Sequence, residues 1–87
     1  MKRPELVLPD YPIYKGDRGL SVSRLQACFD VIYKFKGKKK LESIEPAYCG
    51  DITLNVLKDF QESQEIRISG VYDRLTRQKL REVINAN

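Results

Sequence analysis

The chain has 87 residues, 41% of them hydrophobic and 32% charged, with no histidine and a net charge of +4. A chain this short forms one globular domain that buries only about 60% of the surface its unfolded form exposes, which leaves little room for a deep catalytic cleft. No apolar run approaches the ~20 residues of a membrane span or the apolar core of a signal peptide, and the missing histidine removes Ser-His-Asp chemistry and every His-based zinc site.

Residues 1–14 hold three of the four prolines. Proline removes backbone donors and pushes the preceding residue away from helix. The segment reads as an extended lead-in or linker, with Leu6, Val7, Leu8, Ile13 and Tyr14 available to pack on a core. Residues 15–87 read as the domain. Gly16-Asp17-Arg18-Gly19 is a turn, and the first helix is predicted from about Val22 to about Tyr33. Ser21 is its expected N-cap, with Leu20 and Leu25 as a hydrophobic staple. Val22, Leu25, Phe29 and Ile32 share a face at helical spacing.

Residues 34–49 read as irregular, because they combine a lysine-rich run with Gly37 and Pro46. Residues 1–40 carry ten Lys or Arg against four Asp or Glu, a net of +6, whereas residues 41–87 carry six against eight, a net of −2. The excess is concentrated in Lys34, Lys36, Lys38, Lys39 and Lys40. It fits either a solvated loop or a contact to a polyanion. Leu41 and Ile44 are expected to anchor this long loop. The two cysteines, Cys28 and Cys49, are either one disulfide or two buried thiols, and they are too few to hold a structural zinc.

Asp51 is the expected cap of a second helix running to about Glu62–Gln64, with Thr53, Leu57 and Phe60 on its inner face. Ile66-Arg67-Ile68 is a short extended candidate. Asp73 caps a third helix whose apolar stripe is Thr76, Leu80, Val83 and Ile84, with Arg77 and Arg81 on its other side. The expected fold is all-α, a small three-helix bundle with a long Lys-rich loop between the first two helices.

An internal repeat runs through it. Gly50-Asp51-Ile52-Thr53 is followed by Leu57, and Asp73-Arg74-Leu75-Thr76 by Leu80, each Leu four residues after the Thr. Likewise Val22-x-x-Leu25-Gln26 echoes Leu57-x-x-Phe60-Gln61. A Gln at the edge of an apolar stripe can satisfy loop carbonyls and N–H groups that a small bundle cannot otherwise cover.

Gly16-x-x-Gly19-x-x-Val22-x-x-Leu25-Gln26, Gly50-x-x-Thr53 with Phe60-Gln61, and Gly70-Val71-Tyr72-x-x-x-Thr76-x-x-x-Leu80 together resemble the peptidoglycan-binding-domain family. That family is a three-helix cell-wall-binding module of bacterial and phage lytic enzymes. The resemblance spans roughly residues 13–84. The chain departs from the family pattern at Pro46-Ala47, where an Asp-Gly is usual, at Cys49, where an aromatic is usual, and at Asp73, where a Gly is usual.

The resemblance implies non-catalytic binding of peptidoglycan, both glycan and stem peptide, which would target a linked lytic hydrolase to the wall. It implies an extracytoplasmic or phage-delivered module with no cofactor. Tyr48 and Tyr72 are candidates to stack on sugars or stem peptides. Asp51, Arg18 and Arg74 are candidates for the charged ends of a stem peptide, and Gln61 for its amides. Two other readings stand beside it. One is nucleic-acid or anionic wall-polymer binding through the Lys34–Lys40 loop. The other is a protein-docking module that kept the fold. No pair of carboxylates or nucleophile–base pattern supports an enzyme.

Overall fold

A computed structural model describes residues 6–33 and 40–86. They are all-α, with four helices: α1, Leu20–Tyr33; α2, Leu41–Ile44; α3, Asp51–Ser63; and α4, Arg74–Ala86. Two isolated antiparallel bridges, Ile13 with Tyr72 and Arg18 with Tyr48, are the β-type pairing among the described residues. Ile66-Arg67-Ile68 forms no strand. Of the lysine run, Lys34, Lys36, Lys38 and Lys39 lie outside the described residues.

The start of α1 differs from expectation. It begins at Leu20, two residues early, directly after Gly19 at φ 123°. The Gly19 carbonyl already accepts from the Ser23 N–H (3.1 Å), so Ser21 lies inside the first turn rather than at the cap. Leu20 is 65% exposed and makes no staple. The buried face of α1 is otherwise as the spacing predicts, with Val22, Leu25 and Phe29 inside and Ile32 packed against the core.

The four-residue α2 occupies a stretch expected to be irregular. Its initiation comes from outside its own sequence. The Asp30 carboxylate on α1, itself buried, accepts the Leu41 N–H (2.8 Å) and the Glu42 N–H (3.4 Å). Two of the otherwise unpaired first-turn donors are thereby satisfied. Leu41 anchors the turn in the core, whereas Ile44 is 42% exposed and does not.

Helix α3 spans the predicted range, but Asp51 is not its cap. Gly50 stands at the cap position with no side-chain bond, and the Glu45 carboxylate accepts from Ile52 N–H (3.1 Å) and Thr53 N–H (2.6 Å). The missing side chain at Gly50 makes this arrangement fit, because a Cβ there would run into the Glu45 carboxylate and the Tyr48 ring. Helix α4 starts as expected. Asp73 Oδ1 accepts from Thr76 N–H (2.9 Å) and from the Thr76 hydroxyl (2.8 Å).

Ile13, Val22, Leu25, Cys28, Phe29, Leu41, Cys49, Leu57, Phe60, Tyr72 and Leu80 form one core. Phe29 and Phe60 join α1 to α3 with tilted rings 5.6 Å apart, a contact worth about 0.5–1.5 kcal/mol beyond its buried area. Both cysteines are free buried thiols, and burial pushes each up to about 11. From Leu6 onward the lead-in belongs to the fold rather than to a free linker. Ile13 and Tyr72 exchange backbone hydrogen bonds (3.0 and 2.9 Å), and Leu6 and Leu8 pack on the core.

Candidate functional site

Two of the six sequence-predicted site residues are interior. Gln61 is fully buried, and its amide is spent on the protein. Its NH2 donates to Val71 O (3.0 Å), Thr76 Oγ1 (3.0 Å) and Ser69 Oγ (3.2 Å), while its oxygen accepts from Gly70 N–H (3.0 Å). Gln26 on α1 does the same. It donates to Glu45 O (2.5 Å), Tyr48 O (3.0 Å) and Thr53 Oγ1 (3.0 Å), and accepts from Ala47 N–H (3.1 Å). Gln26 ties the loop before α3, and Gln61 the loop before α4, to the Thr in that helix's first turn. This is the loop-satisfying role the sequence suggests, and it leaves no polar atom of Gln61 for a ligand.

Tyr72 is also fully buried. Its hydroxyl donates to Pro9 O (3.0 Å), and desolvation by burial drives its acidity far below that of a free phenol. It packs the core and presents no ring face to a sugar.

Three other predicted residues come together on the surface. The 16–19 turn is joined to residues 47–49 by three backbone bonds: Gly16 N–H to Cys49 O (2.8 Å), Cys49 N–H to Asp17 O (2.9 Å) and Gly19 N–H to Ala47 O (2.9 Å). The Asp17 carboxylate stiffens that turn by accepting from Tyr14 N–H (2.8 Å). This pairing sets the Arg18 guanidinium over the half-buried Tyr48 ring, 4.2 Å from its centroid, a cation–π geometry. Beside it, Lys15 Nζ meets Asp51 Oδ1 at 2.8 Å. Their hydrogen bond and mutual attraction raise the Lys15 pKa and lower that of Asp51. Both side chains are exposed, so the pair is screened and contributes little to stability. Lys15 was missed by the sequence reading, because nothing local couples residue 15 to residue 51.

Arg74 belongs to a second place. It lines an open hollow of about 440 Å³ with Tyr11, Arg77, Gln78 and Arg81. The three arginines stand at i, i+3 and i+7 on α4, so their side chains share one face. That spacing was the available signal. What the spacing could not supply is the N-terminal segment, which folds against α4 where Arg77 Nε donates to Pro9 O (3.1 Å).

Among the described residues no group of three or more acidic or cysteine side chains could hold a metal ion, and no helix is long and apolar enough to cross a membrane. The surface cluster offers hydrogen-bond donors, a carboxylate, two cations and an aromatic ring. In comparisons with known proteins, no family model, no curated sequence and no solved structure matches this chain.

Proposed function

We propose that this chain is a non-catalytic binding module for bacterial cell-wall peptidoglycan, one that holds a linked lytic hydrolase on its insoluble substrate. The reading takes α1, α3 and α4 as a three-helix module with an internal repeat, in which the Gln26–Thr53 and Gln61–Thr76 clamps are the repeated joints. The observation that carries it is the cluster of Arg18, Tyr48, Lys15 and Asp51, brought together by the pairing of residues 16–19 with 47–49. A stem peptide presents carboxylates, amides and amines within a few ångströms of a sugar ring. The cluster has a partner for each. Because the Lys15–Asp51 pair is exposed and weak, a ligand carboxylate and ammonium can replace the two partners at little cost. A weak contact of this kind suffices, since tethering raises the local concentration of a linked enzyme without chemistry in the module.

The test is a pull-down of the full chain on purified peptidoglycan stripped of anionic polymers, at low and high salt, with duplex DNA as the control ligand. The proposal expects retention that survives high salt and falls several-fold for Tyr48→Ala and Asp51→Ala, with circular dichroism unchanged. Absence of retention on stripped wall, or retention that both variants leave intact, overturns it. Gln61 and Tyr72 variants are unsuitable probes because those residues hold the fold.

A further inference from the structure

The hollow on α4 shares no residue with the Tyr48 cluster and has a different chemistry. Its five lining residues are Tyr11, Arg74, Arg77, Gln78 and Arg81, and they bring three guanidiniums to one face. Among the described residues none of the three forms an ion pair; the two pairs are Lys15–Asp51 and Lys79–Glu82. The nearby carboxylates are engaged elsewhere or out of reach. Asp73 accepts from the Thr76 N–H and hydroxyl through Oδ1 and makes no ion pair with the arginines, and Glu82 accepts from Gln78 and pairs with Lys79. Asp10, next to Pro9, makes no ion pair with them. Arg77 is fixed by donating its Nε to Pro9 O, a bond that does not use its terminal nitrogens. Three cations on one helix face, of which Arg77 is held by a hydrogen bond and none is ion-paired, concentrate positive charge at the hollow and attract an anionic occupant.

The dimensions narrow the anion. At 1.5 Å per residue, Arg74 and Arg81 are about 10 Å apart along the helix axis, more than one oxyanion covers. A guanidinium fork grips phosphoryl oxygens bidentately, and a phosphoryl group offers more oxygens and more charge than a carboxylate. The volume, about 440 Å³, lies in the range of small-ligand sites. We propose that this hollow binds a ligand carrying two or more phosphoryl groups spaced along α4, gripped by Arg74, Arg77 and Arg81 with Tyr11 and Gln78 at the rim. Such groups occur in free polyphosphates and in linear phosphodiester chains. The proposal does not depend on the wall-binding reading, because stripped peptidoglycan carries no phosphate polymer.

The experiment titrates the full chain at physiological salt with inorganic tripolyphosphate, with a short poly(glycerol phosphate) chain and with citrate, following binding by calorimetry and backbone amide shifts. Tripolyphosphate or the polymer is expected to bind ahead of citrate and to shift amides of residues 74–81 and 11. A tenfold tighter grip on the polymer assigns a phosphodiester chain as the source, and equal or weaker binding assigns a free polyphosphate. The Arg74→Gln/Arg81→Gln variant should weaken binding by about tenfold or more, with an unchanged melting curve, since each lost charge-assisted contact is worth roughly that factor. The Lys38→Gln/Lys39→Gln/Lys40→Gln variant should bind as the parent does. Citrate binding as tightly as tripolyphosphate, an unaffected arginine variant, or loss confined to the lysine variant overturns the proposal.

Discussion

Replacing Gln26 with leucine tests whether the glutamine clamps hold the fold. Leucine matches the volume closely, so a cavity contributes little. What is lost is hydrogen bonding, and the partners can be counted. The Glu45 carbonyl also accepts from Tyr48 N–H. Tyr48 O and Ala47 N–H have Gln26 as their hydrogen-bond partner. Two backbone groups are therefore orphaned, at about 1–3 kcal/mol each, for a total of roughly 2–6 kcal/mol. In Gln61→Leu, Gly70 N–H is orphaned, but Val71 O keeps the Ser69 hydroxyl at 3.3 Å. That change should cost about 1–3 kcal/mol. A domain of this size has about 4–13 kcal/mol in all, so Gln26→Leu removes a large share and Gln61→Leu a smaller one. Urea unfolding followed by circular dichroism at 222 nm measures both. A cost for Gln26→Leu below about 1 kcal/mol, or below that of Gln61→Leu, refutes the partner-counting argument.

Other consequences are independent of the clamps. Gly50→Ala places a Cβ against the Glu45 carboxylate, so the α3 cap is lost and stability falls by about 0.5–2 kcal/mol in the same urea assay; an unchanged midpoint would show that Glu45 does not cap α3. Burial opposes ionisation of Glu45, but its hydrogen bonds from Thr53, Ile52 and Gly50 outweigh that and lower its pKa. Its contribution is therefore complete above the ordinary glutamate value near ~4.3 and is lost as pH falls below that value through the lower folded-state pKa. The stability difference between the parent and Glu45→Gln should shrink over that acidic window and stay flat from pH 6 to 8. Cys28 and Cys49 are buried with thiols pushed up to about 11, so at pH 8 labelling by a disulfide reagent should proceed at the rate of unfolding rather than at that of free cysteine; rapid labelling of the native chain would contradict their burial.

Where the physics is local, the sequence discloses it. Helix α4 has its cap, Asp73, three residues before the Thr it bonds, and its start was predicted as observed. The glutamines were legible too, because each follows an apolar pair at helical spacing and an amide there has few uses other than loop satisfaction. Features that depend on distant partners were not legible. The start of α2 is held by Asp30, eleven residues upstream of Leu41. The arginine hollow needs the lead-in to close over α4, and burial of Tyr72 needs Pro9 and Ile13 beside it.

The two clamps make the distinction within a single motif. Both join a carboxylate, a threonine and a glutamine: the carboxylate accepts the threonine N–H and the glutamine amide donates to the threonine hydroxyl. In the second clamp the carboxylate is Asp73, at the cap position itself. In the first that position is Gly50, and Glu45 reaches in from the preceding turn to supply the charge. Reading Asp51 as the cap followed from residue type, since an aspartate beside a helix start is a common cap. It failed because the backbone places Asp51 inside the helix, where its carboxylate points to solvent and meets Lys15 instead. The glycine that frees space for Glu45 thus also releases Asp51 to the surface cluster, so that capping of α3 and the candidate recognition surface depend on the same backbone position.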